Sequence, residues 1–177
     1  VSTGQDIWIH EEATGKWFKA NDLNRSSTSL HAFTSIAEDR SGKLWIASSF
    51  EGVITIDPEQ KKFSVLPEKT MGENPAYMLT LLGLDDHRLM MTTEKGAFIY
   101  NEQTGSITPF KVPYKNRELT SEAFIAGSYL DNEGNLFLGT AVRLLITDTL
   151  HKSVRFFESS VFDSTSLSAQ SVTGILR

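Results

Sequence analysis

The 177-residue sequence predicts an all-β fold, a partial β-propeller of about four blades with four antiparallel strands each. Three observations carry that prediction. Landmarks recur about every 46 residues. The segments that carry them are short, rich in Ile, Val, Phe, Trp and Thr, and bounded by Gly, Asp, Asn and Pro, the chemistry of strands and tight turns. No segment holds a 3.6-residue apolar stripe long enough for a stable helix; 119–126, with mild helical character, reads as loop leading into strand.

The period is visible in three independent landmarks. Glu38-Asp39-Arg40-Ser41-Gly42-Lys43-Leu44-Trp45-Ile46-Ala47-Ser48 returns as Leu130-Asp131-Asn132-Glu133-Gly134-Asn135-Leu136-Phe137-Leu138-Gly139-Thr140, and Gly42 to Gly134 is 92 positions, or two periods of 46. A degraded copy, Asp85-Asp86-His87-Arg88-Leu89-Met90-Met91-Thr92-Thr93, falls between them. A second landmark ends at Trp17, Phe63, Ile107 and Val154, separated by 46, 44 and 47 residues. The third, Ser29-Leu30 followed by Phe33-Thr34-Ser35-Ile36, returns as Ser166-Leu167 followed by Val172-Thr173-Gly174-Ile175, three periods on. The repeats run approximately 1–28, 29–74, 75–120, 121–165 and 166–177, the first and last partial, within one domain.

Each repeat reads as four strands, exemplified by 33–38, 43–48, 52–57 and 62–66, with Asp39-Arg40-Ser41-Gly42 as a hairpin turn. A four-stranded sheet cannot cover both its apolar faces alone. Radial stacking solves this, and Trp45, Met90 and Phe137, at one repeat position, are then expected between blades as core.

Composition narrows the function classes. Seventeen Lys and Arg against 22 Asp and Glu give a net charge of −5, without the basic excess that binds phosphate backbones, so nucleic acid is not an expected partner. No stretch approaches 18 apolar residues and the N-terminus lacks the features of a signal peptide, so no membrane segment is expected in this chain. The absence of Cys removes thiolate chemistry and disulfides without fixing a compartment.

No catalytic constellation is visible. His10, His31, His87 and His151 lie at different repeat positions without paired spacing, so no metal site is expected. Asp131-Asn132-Glu133-Gly134 lacks the ligand spacing of a calcium loop and reads as a hairpin turn. Asn24-Arg25-Ser26 is formally a glycosylation sequon and reads as a loop feature. Gly-x-Ser-x-Gly, the P-loop and the dinucleotide fingerprint are missing, so no cofactor is expected. The paired carboxylates Glu11-Glu12 and Asp85-Asp86 read as solvated turn charges rather than an acid and base.

The series Ile36-Ala37-Glu38-Asp39, Ser41 to Ser48, Gly52-Val53 and Ile56-Asp57-Pro58 resembles the two-component regulator propeller repeat, and the Ser-Leu-Ser element at 166–168 is similar to that family's interblade loop. The sequence departs from the pattern at Leu89-Met90-Met91, where the aromatic is lost, and at Val142, where a Gly is usual. The resemblance implies a non-enzymatic fragment of the extracytoplasmic, periplasmic sensor region of a hybrid two-component signalling protein. Such a region senses carbohydrate or a related small molecule. The parent that it implies carries two propellers, an immunoglobulin-like domain, a membrane span and a kinase. Both ends of the chain then cut a blade, and the expectation is closure on itself or self-association through terminal edge strands.

Propeller ligands usually meet the face carrying the loops between strands two and three and those joining blades. Here those loops contain Phe50, Glu51, Glu94, Lys95 and Arg143, with Tyr77 and Tyr114 in the second kind. Aromatics beside charged groups suit an oligosaccharide, which offers apolar ring faces and hydroxyl edges. A propeller lyase or glycosidase, or a protein-binding scaffold, is the alternative function.

Overall fold

A computed structural model describes residues 7–20, 32–39, 41–49, 52–57, 59–60, 62–66, 78–94, 96–114, 117–118, 125–148, 153–168 and 171–175. The regular elements among them are all strands. Strands β1 (Trp8–Glu11) and β2 (Lys16–Lys19) form a hairpin; β3 (Phe33–Glu38), β4 (Leu44–Ser48), β5 (Gly52–Asp57) and β6 (Lys62–Val65) form a four-stranded sheet. Strands β7 (Met78–Gly83), β8 (Arg88–Thr93), β9 (Gly96–Asn101) and β10 (Ser106–Pro109) form a second. After a short hairpin of β11 (Pro113–Tyr114) and β12 (Arg117–Glu118), strands β13 (Ile125–Leu130), β14 (Asn135–Thr140), β15 (Arg143–Asp148) and β16 (Val154–Glu158) form the third. Each four-stranded sheet is an antiparallel meander in chain order, the architecture of a propeller blade. The β1–β2 hairpin corresponds to the third and fourth strands of the same repeat. The β11–β12 hairpin is an addition that the repeat pattern does not contain.

Two compact units divide the chain, Val1–Met78 and Leu79–Arg177. In the first, Ile46, Ile54 and Ile56, with Leu44, Phe33 and Phe63 beside them, pack against Ile7, Ile9, Ala20 and Phe18 of the hairpin. In the second, Met90, Ala97, Phe110 and Val112, joined by Leu82, Leu84 and Ile99, pack against Ile125, Leu136, Leu138 and Leu145 of the next sheet. The period-2 alternation of a strand explains the division of labour. In β4, Leu44 and Ile46 serve one face while Trp45 and Ala47 serve the other, and the register Leu44↔Ile56↔Phe63 keeps the first set together across three strands. Full burial of each such side chain stabilises by about 1.5–3 kcal/mol.

Trp45 and Met90 are buried, at 3% and 0% exposure. Phe137 is only half-buried, contrary to the expectation of a core position. It stands on the second face of the β13–β16 sheet, tilted against Tyr129 with ring centroids 5.9 Å apart. The segment on this face, 171–175, lies over the paired Gly127 and Gly139 instead of over Phe137. Val172 N–H donates to Thr140 O at 3.0 Å. In the β7–β10 sheet the corresponding inner positions are Thr80 and Thr92. Their hydroxyls hydrogen-bond to each other at 2.7 Å, and Thr80 reaches Ser128 of the next sheet at 2.9 Å.

The turns between first and second strands share one device. Asp39 Oδ1 accepts from Ser41 N–H, Ser41 Oγ–H and Lys43 N–H, while its Oδ2 accepts from Trp45 Nε1–H at 2.8 Å. Asp131 Oδ1 accepts from Glu133 N–H and Asn135 N–H, and its Oδ2 from Asn135 Nδ2–H at 2.8 Å. Asp85 Oδ1 accepts from His87 N–H and Arg88 N–H, and its Oδ2 from Arg88 Nε–H at 2.6 Å. Gly42 and Gly134 close the two longer turns at φ 82° and 85°, a region that disfavours any side chain. A further recurrence is a bulge in the first strand pair. Register slips between Phe33 and Ser35 and again between Ile125 and Gly127, leaving Thr34 and Ala126 as the extra residues.

Candidate functional site

The loop residues expected to meet a ligand are not assembled into a site by the described residues. Phe50, Glu51, Tyr77 and Lys95 lie outside those residues, as do His31, His151, the sequon at Asn24 and 119–124. Tyr114 pairs with Arg117 in the β11–β12 hairpin, its side chain outside what is described. Glu94 is exposed in the β8–β9 turn.

Arg143 is committed to its own sheet. Its guanidinium pairs with Glu158 at 2.9 Å and lies 5.9 Å from the Phe156 ring centroid. It also corrects the alignment at this loop. Thr140 Oγ1–H donates to Arg143 O as Thr93 Oγ1–H donates to Gly96 O, so Arg143, not Val142, occupies the place of Gly52 and Gly96. Those two glycines take φ values of 79° and 120°, whereas Arg143 adopts no positive φ. The Thr140 hydroxyl also accepts from Val142 N–H and Arg143 N–H, holding the turn by a side chain instead of a glycine conformation.

The other residues singled out for chemistry have structural occupations. His10 stacks on Trp17, ring centroids 4.7 Å apart. The Asp131 carboxylate is filled by donors of its own turn. Burial of Asp85 favours its neutral form, but the donors from His87 and Arg88 and the Arg88 charge outweigh this and hold the pKa below its ordinary value. The same contest at Asp39, burial against donors from Ser41, Trp45 and Lys43, ends the same way. Among the described residues no three His, Asp or Glu side chains gather as a metal site.

Cavities instead open on the second complete sheet. One of about 290 Å³ is lined by Leu84, Arg88, Ile99, Asn101, Ser106 and Thr108, continuing along 109–111. A second of about 320 Å³ shares Arg88 and Asn101 with it and extends over the Asp85 turn. Register explains the grouping: Arg88 pairs with Asn101, and Asn101 with Ser106, so the three form one cross-strand row. Ile99 and Thr108 form the next row on the same face. Leu84 and Ile99 belong to the apolar packing between this sheet and the next, which places an apolar floor under polar walls.

The fold is thus that of a β-propeller, seen here as three complete blades and a hairpin. Within it, residues 28–50 match the two component regulator propeller family. No match to a curated protein is found. Solved structures similar to the chain include the extracellular domain of the putative hybrid two component system BT4673 from B. thetaiotaomicron, with 18% identity, TM-score 0.74, and coverage of 98% of this chain and 22% of that one. The extracellular domain of the putative hybrid two component system BT3049 from the same organism follows at 17% identity and TM-score 0.57, covering 97% and 29%. Catalytically inactive H270A virginiamycin B lyase from Staphylococcus aureus with Quinupristin is similar at 16% identity and TM-score 0.62, covering 89% and 50%. The chain spans about a fifth of the length of the BT4673 domain, and at these identities the likeness establishes the fold.

Proposed function

We propose that this chain is part of the extracytoplasmic, periplasmic sensor region of a hybrid two-component signalling protein, and that it binds carbohydrate or a related small molecule without catalysing its turnover. The observation that carries the reading is a conjunction. The repeat at 28–50 matches the two component regulator propeller family, and 98% of the chain follows the extracellular domain of a putative hybrid two component system. Propeller geometry suits the role, because rigid stacked sheets hold polar groups at fixed spacings around concave surfaces. Signal would pass by domain rearrangement, ligand binding favouring one arrangement over another.

Titration calorimetry of the ectodomain that contains this chain against a panel of neutral and acidic oligosaccharides tests the reading. Saturable heat from at least one saccharide, with the saccharide recovered unchanged, is expected. Absence of binding across the panel removes the small-molecule sensor, and cleavage of the bound saccharide returns the lyase or glycosidase alternative.

A further inference from the structure

The Arg88 row differs from its counterparts in one respect that changes its chemistry. In the β3–β6 sheet the position opposite Lys43 is Asp57, one step beyond the Leu44↔Ile56 pair, and in the β13–β16 sheet Asn135 faces Asp148. An acid therefore occupies the centre of the row in both. In the β7–β10 sheet the centre is Asn101, a neutral amide, while the neighbouring position is the cation Arg88.

Asp85 engages Arg88 through Nε alone, at 2.6 Å. The two Nη groups are left as a planar fork, the geometry that receives a carboxylate through two parallel hydrogen bonds. Asn101 Oδ1 accepts from Thr104 N–H at 3.1 Å, which leaves its Nδ2 donors without a partner among the described residues. Thr108 Oγ1 likewise has no hydrogen-bond partner among them. Lys111 adds a second cation to the lining of the 290 Å³ cavity, which holds no Asp or Glu, while Asp85 and Asp86 stand outside it in the adjoining 320 Å³ cavity.

We infer that this cavity is a binding site for a carboxylate-bearing sugar, a uronic acid unit. The Arg88 fork receives the carboxylate, Asn101 Nδ2 and Thr108 Oγ1 meet ring hydroxyls, and the apolar face of the ring lies over Ile99 and Leu84. The volume, about 290 Å³, is at the lower edge of the roughly 300–1,000 Å³ of small-molecule sites, room for one ring unit and not for a long chain. The inference deepens the sensor reading and rests on it for the choice of a sugar over other carboxylates.

The test is titration of the purified chain with glucuronate, glucose and acetate, followed by amide NMR shifts, on the wild type, Arg88→Gln and Asn101→Asp. Asn101→Asp restores the acid found in the other two rows, keeps an acceptor for Thr104 N–H, and engages the Arg88 fork internally. Glucuronate is expected to shift amides of β8, β9 and β10, with glucose and acetate at least tenfold weaker. Both variants are expected to lose at least tenfold in glucuronate affinity while keeping the wild-type circular dichroism. Glucuronate binding unchanged in Asn101→Asp, acetate binding as well as glucuronate, or no shifts with glucuronate would each overturn the assignment. The two readings separate: an ectodomain that binds other saccharides, with wild type and Asn101→Asp alike, but not glucuronate keeps the sensor and removes this site, whereas one that binds no saccharide removes the sensor.

Discussion

Replacing Gly139 by Ala should release the segment 171–175 from the β13–β16 sheet, and the size of the effect follows from the contacts. A Cβ at this position would stand 2.3 Å from Val172 O, 2.9 Å from Val172 Cγ1 and 3.1 Å from Val172 C. Two of these atoms are main chain and cannot rotate away. Gly139 does not adopt a positive φ, so Ala meets no conformational strain there, and its lower freedom in the unfolded chain favours folding by about 0.4–1 kcal/mol. Against that stands an overpacking cost of about 1–3 kcal/mol. The hydrogen bond from Val172 N–H to Thr140 O at 3.0 Å is lost as well, for about 0.5–1.5 kcal/mol. The unfavourable side wins, by about 2 kcal/mol, or roughly 4–8 °C in Tm for a chain of this size. Urea unfolding gives the global figure, and hydrogen exchange at the Val172 amide gives the local one. Gly83→Ala, which meets nothing within 4 Å, is the matched control and should be neutral or slightly stabilising. If Gly139→Ala unfolds within 0.5 kcal/mol of the wild type and the Val172 amide stays protected, the close seating of 171–175 on the glycine pair is wrong.

Asp39→Ala should destabilise by about 1–3 kcal/mol, because it strips the turn of its acceptor and removes the carboxylate that accepts from the Trp45 indole N–H; a double-mutant cycle with Trp45→Phe should show coupling above 0.5 kcal/mol. The pKa values of Asp39 and Asp85 are lowered from 3.8, so both carboxylates stabilise the fold above that value, and the contribution is lost as pH falls through their depressed folded-state values. Denaturation midpoints should accordingly fall below about pH 4, less steeply in Asp39→Asn. Thr80→Val should cost about 1–2 kcal/mol, since one hydroxyl bonds both Thr92 and Ser128; a double-mutant cycle with Ser128→Ala that shows no coupling would mean that the link between sheets is idle. Arg143→Ala should cost less than about 1 kcal/mol, the Glu158 partner being half exposed, and a larger loss in a thermal melt would mean that the Phe156 contact dominates.

Much of the sheet order was legible because alternation and turn chemistry agree at each repeat. The strands expected at 33–38, 43–48, 52–57 and 62–66 are observed within a residue. Met90 kept its buried place although the aromatic was lost, since volume and not ring chemistry is what the interblade space requires. The slip at Val142 came from counting along loops of unequal length, three residues between Ser48 and Gly52 but two between Thr140 and Arg143. Only the Thr140 hydroxyl contacts reveal which residue fills the glycine place. The cavity escaped for a different reason. Arg88, Asn101 and Thr108 come from three strands, not from loops, and meet only through register. The signal in the sequence is the polar character of Arg88 and Asn101, each two residues from an apolar one on the same face, buried Met90 and half-buried Ile99.

The aspartate that opens each blade's first turn binds an indole at Trp45, a guanidinium at Arg88 and an amide at Asn135. The socket is constant and the plug is not. The donor stands at the start of the second strand in Arg88 and Asn135 but two residues further on in Trp45, where Lys43 fills the place of Arg88, so either position can supply the N–H that keeps the hairpin. That freedom lets the place be taken by Lys43, Arg88 or Asn135 without rebuilding the fold, so blades of one architecture can present chemically different rims to whatever approaches them.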